Sequence, residues 1–292
     1  MSPPPLAPAP AGRPSPARVR RRSRGPCEEP RAVQWVLVAL AALFLGLLVV
    51  APLVAVFAQA FDHGARAYWR AVQAPGSLRA IGLTLLIAAI VVPLNLAFGL
   101  AASWLVAKYD FPGRSVLLSL IDLPFSVSPV IAGLLFVLLF GVHGLLGGFL
   151  QRHGIQLIFA APGMVLATAF VTSPLVAREI LPLMQSLGSE EEEAALTLGA
   201  SGFALFFRVT VPKIRWGVLN GVVLCNARAM GEFGAVTVVS GLIIGKTITM
   251  PLQIGILYDD FDFVGAFAVA TLLTLLALVT LAVKRIVEGK EG

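Results

Sequence analysis

The chain has 292 residues, is 58% hydrophobic and only 13% charged, and has a mean hydropathy of +0.88. Soluble domains carry about 25% charged residues, so a water-soluble globular protein is excluded, and no stretch is left for a second soluble domain of any size. The net charge of +6 follows from where Lys and Arg fall around the apolar runs and calls for no nucleic-acid partner.

Residues 1–32 are rich in Pro, Ala and Arg and have little to bury, which predicts a disordered tail. Ala58-Gln59-Ala60 mimics a signal-peptide cleavage site. The apolar run before it is longer than an h-region of roughly 7–15 residues, which predicts an uncleaved first span. Six apolar runs follow in order, at about 35–61, 80–106, 116–140, 157–177, 214–241 and 264–284. Most match or exceed the ~20 residues that carry a helix across a bilayer core. They are continuous rather than alternating, so helices fit and a barrel does not. The expected architecture is an all-α membrane protein with six transmembrane helices over residues 33–286, embedded in lipid, and a short tail at 287–292.

The connection at 62–79 holds Tyr68 and Trp69, side chains suited to a membrane interface. The third run contains Pro124 and Pro129, five residues apart, which predict a kink or a break. Broken backbone at membrane depth survives only inside protein or beside water. The break is therefore either a pathway lining or a packing kink. His63, His143 and His153 have no second ligand type at metal spacing, and no metal site is expected. Cys27 lies in the tail and Cys225 in a span, so no disulfide framework is expected.

Lys and Arg fix the orientation. Seven arginines in the tail, Lys108 and Arg114 in the second connection, Arg178, Arg208, Lys213 and Arg215 in the fourth, and Lys284, Arg285 and Lys290 at the end lie on one side. Arg66, Arg70, Arg79, Arg152 and Lys246 lie on the other. Both termini and the fourth connection are thereby expected in the cytoplasm.

That fourth connection, roughly 178–215, is the most informative stretch. Ser189 with Glu192 three residues on forms a capping box. Glu190 to Glu193 fill a first turn, where carboxylates complement the helix dipole. Gly199 is placed to end the helix in a left-handed cap. Ser201 is placed to cap a second short helix carrying Phe203, Leu205, Phe206 and Phe207, and Pro212 to close it. The aromatic cluster wants a partner or the lipid interface.

The fifth run contains Arg228 and Glu232, four residues apart and so on one helical face. Charges inside a membrane usually face a bundle interior or a wet cavity. The pair either supplies positive potential to an anion path or locks helices as a gate. Gly217 and Gly221 on a nearby stripe allow close contact with another helix, within the chain or across a dimer axis. Gly241 to Thr247 mimics a phosphate loop, but three residues separate its glycines instead of four and no strand precedes it, so ATP is not expected there. Ser240, Lys246 and Thr247 with that glycine backbone are instead candidates for admitting an oxyanion. Asp259, Asp260 and Asp262 read as a solvated loop.

The residues Glu193-Ala194-Ala195, Gly199, Val209 and Val211-Pro212 spell E-A-A-x3-G-x9-V-x-V-P. This resembles the EAA loop of bacterial ABC-importer permeases, with Val209 and Val211 where that pattern has Ile and Leu. The stretch Asn226 to Val236, followed by Ser240-Gly241-x3-Gly245-Lys246-Thr247, is similar to sulfate/thiosulfate importer permeases of the CysW type. The resemblance runs over roughly 30–285. It implies a type I ABC-importer permease fold whose cytoplasmic EAA coupling loop, 186–212, docks on an ATPase. It further implies two ATPase subunits, a sister permease forming a heterodimer, and an external sulfate/thiosulfate-binding protein. The chain would lie in the cytoplasmic membrane, bind no ATP or other cofactor itself, and do no bond chemistry. Molybdate and tungstate permeases share a related Arg-Ala-x-Gly-Glu-Phe-Gly core and are the alternative; an ion-coupled secondary transporter is a more distant one.

Overall fold

The structure is a computed structural model that describes residues 31–188 and 190–289. The expected tail, apart from its last two residues, lies outside the described residues, as do Cys27, Ser189 of the capping box and Lys290. Among the described residues every regular element is helical.

Helix α1 (Arg31–Leu45) continues through a π-helical turn (Gly46–Val50) into α2 (Ala51–Phe61). The first span, Val33–Phe61, is thus helical from end to end. Apolar side chains such as Trp35, Leu40 and Phe44 are exposed all along it. A helix apolar on all sides is stable only in hydrocarbon or a protein core.

The remainder, from Leu53, forms a second compact unit. After the end of α2 it continues with α3 (Ala65–Gln73), a helix where only a connection was expected. Tyr68 stacks on Phe61 with ring centroids 4.6 Å apart. Helix α4 (Pro75–Lys108) is a single span of 34 residues, with Pro93 inside it. The third apolar run is split into α5 (Arg114–Ser126) and α6 (Pro129–Phe140), bent by 109°. The break is not shared between the two prolines. Pro124 stays inside α5, whereas Pro129 opens α6 in its first turn, where the missing N–H has no partner to lose.

A short helix, α7 (Gly147–Arg152), precedes α8 (Ala161–Ser186). Helix α8 overruns the expected end of the fourth span, passing Pro174 and Pro182, so Arg178 lies on the helix and not in the connection. Arg178 Nε donates to Asp122 Oδ1 at 2.8 Å, and its guanidinium lies 4.2 Å over the Phe125 ring, which ties α8 to α5. The segment between α8 and the fifth run consists of α9 (Glu190–Thr197) and α10 (Gly202–Leu205), a π-helical turn (Phe206–Thr210) and α11 (Val211–Lys213). The fifth run is α12 (Arg215–Met230) and α13 (Gly234–Ser240), bent by 50°, and not one continuous helix. Then come α14 (Met250–Asp259) and α15 (Phe263–Gly289).

Helices α4, α8 and α12 hold the unit together, and their seam carries buried polar contacts, among them Ser103 Oγ on α4 donating to the Ala177 carbonyl on α8 at 3.3 Å. The Asn95 side chain on α4 donates to Thr172 Oγ1 at 2.7 Å and the Ala169 carbonyl at 3.2 Å on α8, and lies 3.6 Å from Cys225 Sγ on α12. Glycines let these helices close up. A Cβ on Gly99 would lie 2.7 Å from Val176 Cγ1, one on Gly221 would lie 3.2 Å from Val176 Cα, and one on Gly217 would collide with Leu183. The Gly217–Gly221 face therefore meets α8 of the same chain.

Candidate functional site

The loop that carries the E-A-A pattern follows from local rules. Four glutamates occupy the first turn of α9. Gly199 takes φ +85°, a left-handed conformation that closes the helix as its sequence position predicts. Ala200 N–H returns to the Ala195 carbonyl at 3.0 Å. The Ser201 hydroxyl accepts from Ala204 N–H at 3.3 Å and caps α10. Pro212 does not close the segment: the helix runs through it to Lys213, with Pro212 in the first turn of α11 and a π-helical turn just before it.

Glu192, the residue before the E-A-A triplet, is buried. Its Oε2 lies 2.7 Å from Lys108 Nζ at the end of α4, and its Oε1 accepts from the Thr210 hydroxyl at 2.8 Å. Lys108 also donates to the Gly188 carbonyl at 3.2 Å, and Lys213 pairs with Glu191 at 2.8 Å. These bonds fasten α9 to the end of a long span and to the returning π-helical turn and α11. Trp104 adds an aromatic contact to Phe206, centroids 5.1 Å apart.

Of the pattern residues, Glu193, Ala194, Gly199 and Pro212 are exposed, while Ala195, Val209 and Val211 are half-buried against the unit. Around the exposed ones stand Leu196, Leu198 at 89% exposure, Phe203 at 76% and Phe207. An apolar group of this kind at the tip of a loop marks a contact surface. Leu198 escapes sequence reasoning because nothing in its spacing separates it from a helix-core leucine.

At the second candidate segment, Arg228 lies in the last turn of α12 and Glu232 lies in the break. Their expected pair forms, Nη2 to Oε2 at 3.5 Å, but not on one continuous helical face. Glu232 is 2% exposed, and its Oε1 accepts from Ala235 N–H at 3.0 Å, capping α13. Arg228 is exposed on the face the chain leaves open. The two broken spans meet at their breaks: a Cβ on Gly133 of α6 would lie 2.7 Å from the Ala235 carbonyl, and one on Gly234 would lie 3.0 Å from Pro129 Cβ.

The three residues Ser240, Lys246 and Thr247 are not brought together as anion ligands. Ser240 and Thr247 are buried, and their hydroxyls accept from Leu242 N–H at 3.2 Å and Ile243 N–H at 3.0 Å, shaping the turn. Lys246 alone is exposed. Asp262, read as a loop residue, accepts from Gly265 N–H at 2.9 Å and caps α15. Among the described residues no cluster of three or more His, Cys, Asp or Glu side chains has metal-binding geometry.

Residues 96–290 match the family described as binding-protein-dependent transport system inner membrane component. The chain belongs to this family. The permease is 51% identical over 257 residues, 88% of each chain, to the sulfate transport system permease protein CysW of Escherichia coli (strain K12). It is 36% identical to the sulfate transport system permease protein CysT of the same organism, covering 86% of this chain and 90% of that one. Its fold matches a chain of a bacterial ABC transporter that imports the acidic polysaccharide alginate, with TM-score 0.76 and 16% identity over 89% of this chain and 97% of that chain. The permease is thus a multi-pass membrane subunit of an ABC importer with the type I fold.

Proposed function

We propose that the permease carries sulfate, and thiosulfate with it, across the cytoplasmic membrane as one half of a heterodimeric channel. The observation that carries this reading is its 51% identity, over 88% of both chains, to a protein named for sulfate transport. That one organism holds both a CysW and a CysT relative at 51% and 36% identity supports a sister permease as the partner.

Two ATPase subunits bind the cytoplasmic face, one on the surface formed by Glu193, Ala194, Leu198, Gly199 and Phe203. A loaded binding protein delivers the anion on the opposite face. Lys and Arg density supports a cytoplasmic position for the coupling loop and both termini. ATP is bound and hydrolysed on the ATPase subunits, and this chain holds no nucleotide and makes no bond. Its part is mechanical and electrostatic. Force applied to α9 passes through Glu192 and Lys108 into α4, and so to the α4–α8–α12 seam. Backbone interrupted at membrane depth lines a cavity or is buried in protein. Here the α5–α6 and α12–α13 breaks adjoin, with Arg228 on the open face beside them. A cation held by a buried carboxylate there attracts an anion without trapping it, since Glu232 competes for the same guanidinium.

The test is ATP hydrolysis by the assembled complex in lipid, with ATPase, sister permease and binding protein present and each oxyanion added singly. Stimulation by sulfate over molybdate supports the proposal. Stimulation by molybdate alone moves the permease to the molybdate branch, and no stimulation by any oxyanion refutes the cargo.

A further inference from the structure

The coupling loop meets α4 at Lys108. Roughly 40 Å further along the same helix, at ~1.5 Å per residue, Arg79 lines a cavity of about 210 Å³. Its walls are the first turns of α4, the connection after α13, and α14, contributing Gly76, Arg79, Lys246, Gln253 and Asp260 among others. Arg79 and Lys246 are both exposed, and among the described residues neither has a carboxylate oxygen within 4.0 Å. Two unpaired cations on one cavity wall are an unmet electrostatic demand.

The turn is built to admit the guanidinium. Gly245 has φ +74°, and a Cβ there would lie 2.6 Å from Arg79 Nη1. Any other residue would push Arg79 away. Ser240 and Thr247 hold the turn by accepting its amides, as described above. Gly76 lies in the first turn of α4, where backbone N–H groups lack helical partners and the dipole is positive. Gln253 supplies a side-chain amide to the same space.

We propose that Arg79 and Lys246 form a receiving site for a doubly charged tetrahedral oxyanion at the outer mouth of the permease, a claim that rests on the sulfate reading and locates its first contact. The forked guanidinium matches two oxygens of such an ion, and Lys246 supplies a point charge. The cavity is far larger than the ~10–15 Å³ that holds one water, enough for a five-atom anion that keeps part of its hydration. Asp260 on the wall weakens the hold. A site on a transport path must bind well enough to accept and weakly enough to release.

The experiment uses the complete complex in proteoliposomes with Arg79→Gln and Lys246→Gln. Maximal sulfate uptake at saturating loaded binding protein should fall about tenfold in each variant. Arg79→Lys should recover part of the loss. The affinity of the complex for sulfate-free binding protein should not change. Unchanged uptake, in complexes shown to be assembled by size exclusion, overturns the proposal. So does a matching loss of affinity for the empty binding protein, which would make the two cations a seat for that protein's carboxylates. If the unaltered complex moves molybdate but not sulfate, the sulfate reading falls, and the same variants measured with molybdate decide the site separately.

Discussion

Lys108→Met should loosen the coupling helix while leaving the membrane unit intact. Removing one partner of a fully buried ion pair costs about 3–5 kcal/mol, because the other charge is left uncompensated. Here Lys108 and Glu192 are 18% and 11% exposed, and Glu192 keeps the Thr210 hydroxyl at 2.8 Å. Both facts lower the cost, to about 2–3 kcal/mol by the same reasoning. At 1.4 kcal/mol per decade that is a ~30–150-fold shift in the balance between attached and detached α9. Hydrogen exchange across residues 190–213 should accelerate by a similar factor, since exchange reports the free energy of local opening. In proteoliposomes ATP hydrolysis should continue while sulfate moved per ATP falls. Lys108→Met combined with Glu192→Leu should recover much of the loss, because no buried charge is then orphaned. Unchanged exchange and coupling in the single variant, or a double variant as impaired as the single, would refute the tether.

Gly199→Val places a β-branched residue at φ +85° in otherwise open space. It should cost about 1–2 kcal/mol of backbone strain and reduce sulfate uptake per ATP far more than it lowers the melting temperature of the complex. Glu232→Gln keeps an acceptor for Ala235 N–H and should retain most of the Tm, whereas Glu232→Leu loses the Arg228 counter-charge equally but also strands that N–H and should lose about 1–3 kcal/mol more. Equal losses from the two would show that Glu232 does not cap α13. Asn95→Leu deletes two interhelical bonds worth ~0.6 kcal/mol each in membranes. It should lower thermal stability by about 1–2 kcal/mol; no change would remove Asn95 from the seam.

Much of this was readable because a few rules act locally. The Gly199 cap, the Ser201 cap and the interruption before Pro129 each depend on residues within one or two turns, and each is in place. What escaped depends on distant residues. Glu192 reads as one of four similar glutamates until the fold brings Lys108 and Thr210 to it. Arg79 reads as a loop charge until Gly245 is placed against it. The break after Met230 was hidden because Gly231 to Gly234 lie within a long apolar run, and only the capping of Ala235 by Glu232 shows where the helix restarts. Helix α14 was missed because its ten residues are too few to register as a span.

In the proposed cycle, ATP hydrolysed on the ATPase subunits drives an oxyanion past the interrupted helices through the coupling loop. Radiolabelled sulfate uptake into proteoliposomes holding the whole complex tests it most directly, with ATP present only on the coupling-loop side. The account predicts uptake that requires ATP, stops with an ATPase inhibitor and persists in the presence of an uncoupler. Uptake that follows an imposed proton gradient without ATP would contradict it.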